Sequence, residues 1–140
     1  MDKIPHVNTD IAAQKALDRL AKVGFEMLAE SEKILAVVWT FESQVTNRGF
    51  ARYFSSSPAD MAFYAPTAFG AIGALQKAKI ADEANKVFGA EGPPRDRKVR
   101  RGLVQGLGAE SKAAFDALER EYYESPEDAD ELLEAYLGRK

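Results

Sequence analysis

The chain has no cysteine and a single histidine, His6. Without a thiol there can be no disulfide, thiolate zinc site, iron–sulfur cluster or cysteine nucleophile. One histidine cannot supply an HExxH pair or the Glu-x-x-His pairs of a four-helix di-metal site. His6 precedes the first expected helix and reads as an uninvolved surface residue rather than as part of a Ser-His-Asp triad. Long hydrophobic runs are also absent. The longest, Ile34 to Trp39, is too short to cross a bilayer. Met1-Asp2-Lys3-Ile4-Pro5 carries no basic segment followed by an apolar stretch, so no secretory signal, no membrane contact and a cytoplasmic location are expected.

The 140 residues fit one domain, and 46% of them are hydrophobic, enough to build a real core. The net charge of −3 argues against direct nucleic-acid binding by the whole surface. That charge is unevenly spread. Arg95 to Arg101 holds five bases (Arg95, Arg97, Lys98, Arg100, Arg101) against Asp96. Glu119 to Glu134 holds eight acids (Glu119, Glu121, Glu124, Glu127, Asp128, Asp130, Glu131, Glu134) against Arg120. Lying close in sequence, the two poles are candidates to attract each other.

Helical periodicity dominates. Ala13, Leu17 and Leu20 predict a first helix after Asn8-Thr9-Asp10, ended or bent by Gly24. Ile34, Val38, Phe41 and Val45 form the clearest apolar stripe, with Ser31 as N-cap and Asn47-Arg48-Gly49 as the stop. Val37, Val38 and Trp39 favour a strand by propensity, but spacing over twelve residues favours the helix. Ser57-Pro58-Ala59-Asp60 and Ser125-Pro126-Glu127-Asp128 both read as helix starts, with a serine cap and proline at the first position. The helix after Pro58 is expected to turn Met61, Tyr64, Ala68, Ile72 and Leu75 inward, with a kink or interruption at Pro66. Ile80, Ala84, Val87 and Phe88 form a further stripe stopped by Gly89. Gly89 onward, through Gly92-Pro93-Pro94, reads as a loop leading into the basic cluster. Phe115, Leu118 and Tyr122 mark the next helix, and Leu132, Leu133, Tyr136 and Leu137 the last. The expected fold is all-α, a single compact multi-helix domain.

Little of this carries chemistry. Gly102, Gly106 and Gly108 lack a following Gly-Lys-Ser/Thr and a preceding strand, so they are no phosphate loop. Gly70 and Gly73 suggest close helix–helix approach. Asp128, Asp130 and Glu134 resemble a calcium loop only superficially, because Leu133 stands where that loop needs glycine. No metal and no cofactor are expected. The basic cluster lacks interleaved aromatics and reads as a solvated face or as a partner for the acidic segment. For the acidic run there are two readings. One is a solvated helix face, which charge pattern alone favours. The other is imitation of DNA: carboxylates at i, i+3 and i+4 lie roughly 5–6 Å apart, similar to phosphates along a strand.

Gln44-Val45-Thr46-Asn47-Arg48-Gly49-Phe50-Ala51-Arg52-Tyr53-Phe54 resembles a pattern close to Glu-Val-x-Asn-Gly-Gly-Phe-x-Gln-Tyr-Phe. The pattern belongs to a bacterial family of small helical domains whose best-known member is described as a DNA mimic. Ala68-Phe69-Gly70-Ala71-Ile72-Gly73-Ala74 is similar to a second family segment. Leu118 to Tyr123 and Leu132 to Leu137 are similar to its C-terminal helices, so the resemblance covers about residues 32 to 137 in order. Gln44 replaces the family's acid, Arg48 its first glycine and Arg52 its glutamine, which makes this short face more basic. The resemblance implies an all-helical fold without enzyme activity. It also implies a partner that is a DNA-binding regulator, and action as a homodimer. Asn47, Gly49, Phe50, Tyr53, Ile72 and Gly73 are expected to shape turns and fill the core. The leading reading is a non-enzymatic interaction domain that binds a basic protein partner through Glu119 to Glu134. Two alternatives stand beside it: a small-molecule (anion) or enzymatic site using Asn47, Arg48 and Arg52, and a structural subunit of a complex.

Overall fold

The computed structural model describes residues 5–139, with side chains from Thr9 onward; His6 lies outside the described side chains. Seven α-helices and no strand occur among the described residues: α1 (Pro5–Val23), α2 (Glu30–Phe54), α3 (Ala65–Ala71), α4 (Leu75–Lys86), α5 (Arg97–Gln105), α6 (Ala109–Glu124) and α7 (Ala129–Gly138). Short 3₁₀ turns at Phe25–Met27 and Ser57–Tyr64 complete the order. No helix among the described residues is long and apolar enough to cross a membrane.

α2 is the axis. Its stripe of Ile34, Val38, Phe41 and Val45 is buried, and α1, α3, α6 and α7 all pack against it. Val37 and Val38 are helical despite their strand propensity, because every face of this stretch meets another element. Phe41 sits at the centre, its ring edge-on to Phe50, Tyr53 and Phe69 at 5.0–5.8 Å and tilted against Tyr122. Phe54, Phe88 and Phe115 form the neighbouring aromatic layer.

Pro66 stands in the first turn of α3, where the 3₁₀ segment gives way to α-helix, so the expected interruption is there. Several boundaries differ from expectation. Asn47-Arg48-Gly49 does not end α2. Gly49 takes φ +83° and ψ 172°, and the helix resumes beyond it as a kinked extension to Phe54. The stretch after Pro58 is not one helix, because Gly73 at φ +87° closes α3. Ala74 N–H reaches back to Phe69 O and Gly73 N–H to Gly70 O, the paired bonds of a Schellman stop. Leu75 is consequently 69% exposed rather than inward. Nothing lies within 4 Å of a Cβ built on Gly70 or Gly73, so close helix approach is not their role. Ser31 is not the cap of α2. Glu32 instead reaches back to the Ala29 N–H, and that bond, with Arg19 beside it, holds its carboxyl below the ordinary value. Ser57 and Ser125 are not N-caps either. Asp128 caps α7 by accepting from Glu131 N–H. Helix α5 was not expected; Asp96 caps it by accepting from Val99 N–H.

Candidate interaction surface

The eight acids of the C-terminal segment separate into distinct roles. Glu119, on α6, turns inward to the kink of α2: its Oε2 accepts from Phe50 N–H at 2.8 Å. In an unbroken helix that N–H would bond Thr46 O. Here Tyr123, one turn along α6, donates its hydroxyl to Thr46 O and Val45 O at 3.3 and 3.1 Å. One helix therefore supplies an acceptor to the Phe50 N–H and a hydroxyl donor to the carbonyls just before the kink. Glycine is needed here for its backbone conformation, and a Cβ, 2.8 Å from Glu119 Oε2, would push that carboxylate from its place on the Phe50 N–H.

Glu127 has a comparable role elsewhere. Its two oxygens accept from Gln76 N–H and Lys77 N–H, both at 2.8 Å, in the first turn of α4. That helix has no capping side chain of its own, and the carboxylate sits at the positive end of its dipole. Ser125 supports the clasp: its hydroxyl bonds Gln76 Oε1 and accepts from Glu127 N–H. Asp128 caps α7 but remains exposed. Glu121, Glu124 and Glu131 are exposed, while Asp130 and Glu134 are half-buried and engaged in further contacts. The outward-facing acids are thus Glu121 and Glu124 at the end of α6 and Asp128 and Glu131 at the start of α7.

The basic cluster does not serve as their counterweight. Arg100 is fully buried, and its guanidinium donates five bonds: to Phe54 O, Ser56 O, Pro94 O, Arg95 O and Asp60 Oδ1, at 2.6–3.1 Å. All five donors are satisfied, and a cation stands at the carbonyl end of α2. Arg95 pairs with Glu26 and lies over the Phe63 ring. Arg97, Lys98 and Arg101 are exposed on α5.

Of the residues in the resemblance, Gly49, Phe50, Tyr53 and Ile72 are buried, and Gly73 is the positive-φ turn. Burial raises the hydroxyl pKa of Tyr53 above its ordinary value. Asn47 is different. It is exposed and lines a cleft of about 420 Å³ with Asp10, Trp39, Glu42, Ser43, Thr46 and Asp130. Arg48 and Arg52 are exposed and are not in its walls. Asn47 therefore faces carboxylates rather than the two arginines with which it was grouped as an anion site. Behind the cleft, Glu42 accepts from the Tyr122 hydroxyl and pairs with Lys77, whose ammonium lies 4.3 Å from the Tyr122 ring centre. Lys77 is only 6% exposed, and burial followed by the Glu42 charge pushes the Tyr122 hydroxyl pKa well up. Among the described residues, no group of three or more His, Asp or Glu side chains is placed to hold a metal ion.

Sequence reasoning found the acids but not their division of labour. The Glu119–Phe50 and Glu127–Lys77 contacts span 69 and 50 residues, and no local pattern reports them. A family model described as DMP19-like protein matches residues 26–140. No curated protein and no solved structure matches the chain.

Proposed function

The chain belongs to the DMP19-like protein family, a family that includes a DNA mimic, and from that membership we propose that it is a non-enzymatic, DNA-imitating domain that binds a basic, DNA-binding regulator. The observation that carries the reading is the set of outward carboxylates Glu121, Glu124, Asp128 and Glu131, which flank one inter-helix turn. Glu121 and Glu124 stand three residues apart on α6, a spacing that sets their Cβ atoms roughly 5–6 Å from each other, and Asp128 and Glu131 continue the negative surface across the turn at the start of α7. A protein that reads phosphates with lysine and arginine meets similarly spaced negative charges here. The cytoplasmic setting and the self-association belong to the same reading.

The test combines capture and competition. The tagged protein should retain a DNA-binding protein from its host's lysate, release it in a salt step and lose it to added duplex DNA. A variant carrying Glu121→Gln, Glu124→Gln, Asp128→Asn and Glu131→Gln should lose most of that retention with an unchanged thermal midpoint. Asparagine is chosen at position 128 because it still caps a helix. Equal retention by the variant, or a captured protein indifferent to duplex DNA, would overturn the proposal.

A further inference from the structure

We propose that the cleft between the 3₁₀ turn at Ser57–Tyr64 and the end of α4 receives one tryptophan side chain of a partner protein. The cleft holds about 170 Å³, and Asn85 stands in its wall. Asparagine inside a helix needs a reason, because its amide competes with the backbone. Asn85 is only 8% exposed, and its Nδ2 donates to Ala62 O at 2.9 Å. A carbonyl partner fixes which amide atom is the nitrogen, so the other is the acceptor Oδ1. That oxygen accepts from no group among the described residues. Nor is it sealed away: among those residues, the enclosed side-chain oxygen without a partner is Gln44 Oε1. One bond therefore locks the Asn85 amide, and its free acceptor is left to the cleft that the residue lines.

The rest of the wall is mostly apolar and held in place. Phe63, Pro66 and Pro93 line it, and Phe63 is 41% exposed. The Arg95 guanidinium lies over the Phe63 ring at 4.2 Å and Phe25 packs edge-on at 5.5 Å, so the ring is a fixed surface. Two charges in the wall answer each other, since Lys86 Nζ pairs with Asp82 Oδ2 at 3.0 Å. Glu91, also in the wall, is exposed.

These features select the occupant. An anion would meet the Asp82 and Glu91 carboxylates. A wholly apolar group would strip water from Asn85 Oδ1 without replacing its hydrogen bond. A cation would lose hydration against two prolines and a phenylalanine, with the Lys86 ammonium in the same wall. Indole meets each requirement, with a flat apolar body, one N–H donor and no acceptor. Size decides between a free ligand and a side chain. Small-molecule sites measure roughly 300–1,000 Å³, so this cleft holds one anchoring side chain of a larger partner.

The isotope-labelled full chain should be titrated with Nα-acetyl-tryptophan amide, its ring-N-methylated counterpart, Nα-acetyl-phenylalanine amide and free indole. Resonances of the Asn85 side-chain amide and the Gly92 N–H report on the cleft. The tryptophan derivative is expected to shift both saturably. The N-methylated and phenylalanine derivatives should bind about tenfold more weakly, as for a buried acceptor left without its donor. Asn85→Leu, which keeps the bulk and removes the acceptor, should erase the preference for the free ring N–H. Absence of saturation, equal binding of the N-methylated derivative, or shifts confined to other residues would each overturn the proposal. Binding of free indole with exclusion of the capped tryptophan would assign the cleft to a free small ring and overturn the protein partner. If Asn85→Leu failed to fold, the comparison of probes on the wild-type chain would still decide. The four-fold acidic variant should titrate like wild type, so the cleft and the acidic surface stand or fall separately.

Discussion

At the scale of single residues, Gly49 is constrained by its backbone conformation and by the carboxylate beside it. Its φ of +83° and ψ of 172° lie where side-chain-bearing residues are strained, and a Cβ there would press on the carboxylate that serves Phe50 N–H. Gly49→Ala should therefore cost about 3 kcal/mol, from backbone strain together with loss of a part-buried hydrogen bond. Urea unfolding measures this. Combining it with Glu119→Ala should cost less than the sum of the two single changes, because both remove the same bond. An additive pair would show that the carboxylate and the kink are independent. Arg100 shows a different constraint at the same scale. A lone arginine in a basic run looks solvated, yet this one has five acceptors around it and no exposure. Lysine could not replace it, since an ammonium has three donors and no fixed fork.

At the scale of elements, helix ends explain most of the acids that face inward. α4 begins after Ala74 with no cap of its own and borrows Glu127 from the turn before α7. Glu127→Ala should cost about 2 kcal/mol through loss of two charge-assisted bonds at a helix N-terminus. Hydrogen exchange should accelerate first at the Gln76 and Lys77 amides. If exchange at those amides stayed at the wild-type rate while the molecule lost stability uniformly, the clasp would not be what holds α4. Helix α6 has a double duty of the same kind. Its apolar face of Phe115, Leu118 and Tyr122 enters the core, while Glu119 and Tyr123 tie the α2 kink. The family segments that hold these residues lie far apart in sequence and meet in space at this point. The same helix continues outward to Glu121 and Glu124, so packing fixes the direction in which the exposed acids point.

At the scale of the whole molecule, the buried tyrosines give the fold an alkaline limit. The folded-state pKa values of Tyr53 and Tyr122 are raised, with burial the leading cause for both and the Glu42 charge next for Tyr122. A raised folded value means that the stabilisation is fully present below the ordinary value of 10 and is lost as pH climbs beyond it. The stability difference between wild type and Tyr122→Phe should therefore stay constant from neutral pH to about 10 and shrink above it. Chemical unfolding across that range measures the difference; a gap that persisted well above 10 would mean that the hydroxyl does not hold its proton for this reason. Charge at this scale is mixed, with two local concentrations. Four outward acids, Glu121, Glu124, Asp128 and Glu131, lie about the α6–α7 turn, and three outward bases, Arg97, Lys98 and Arg101, lie on α5, among other exposed charges of both signs elsewhere on the surface.

The all-helical class, the apolar stripes, the interruption at Pro66 and the family segments were legible in the sequence. Each of these is written in neighbours three to seven residues apart, the distance over which helical geometry speaks. It also placed Phe50 and Tyr53 in the core, because large apolar groups have few other stable places to go. That Gly49 bends a helix instead of ending it depended on distant packing, since the orphaned Phe50 N–H finds its acceptor 69 residues away. Only the fold separated Glu119 and Glu127, held on backbone amides, from Glu121, Glu124 and Glu131, left to solvent, and buried Arg100 among its charged neighbours. The physical reason is the same in each case. A charged side chain has no fixed preference for inside or outside until the fold either supplies its partners or leaves it to water.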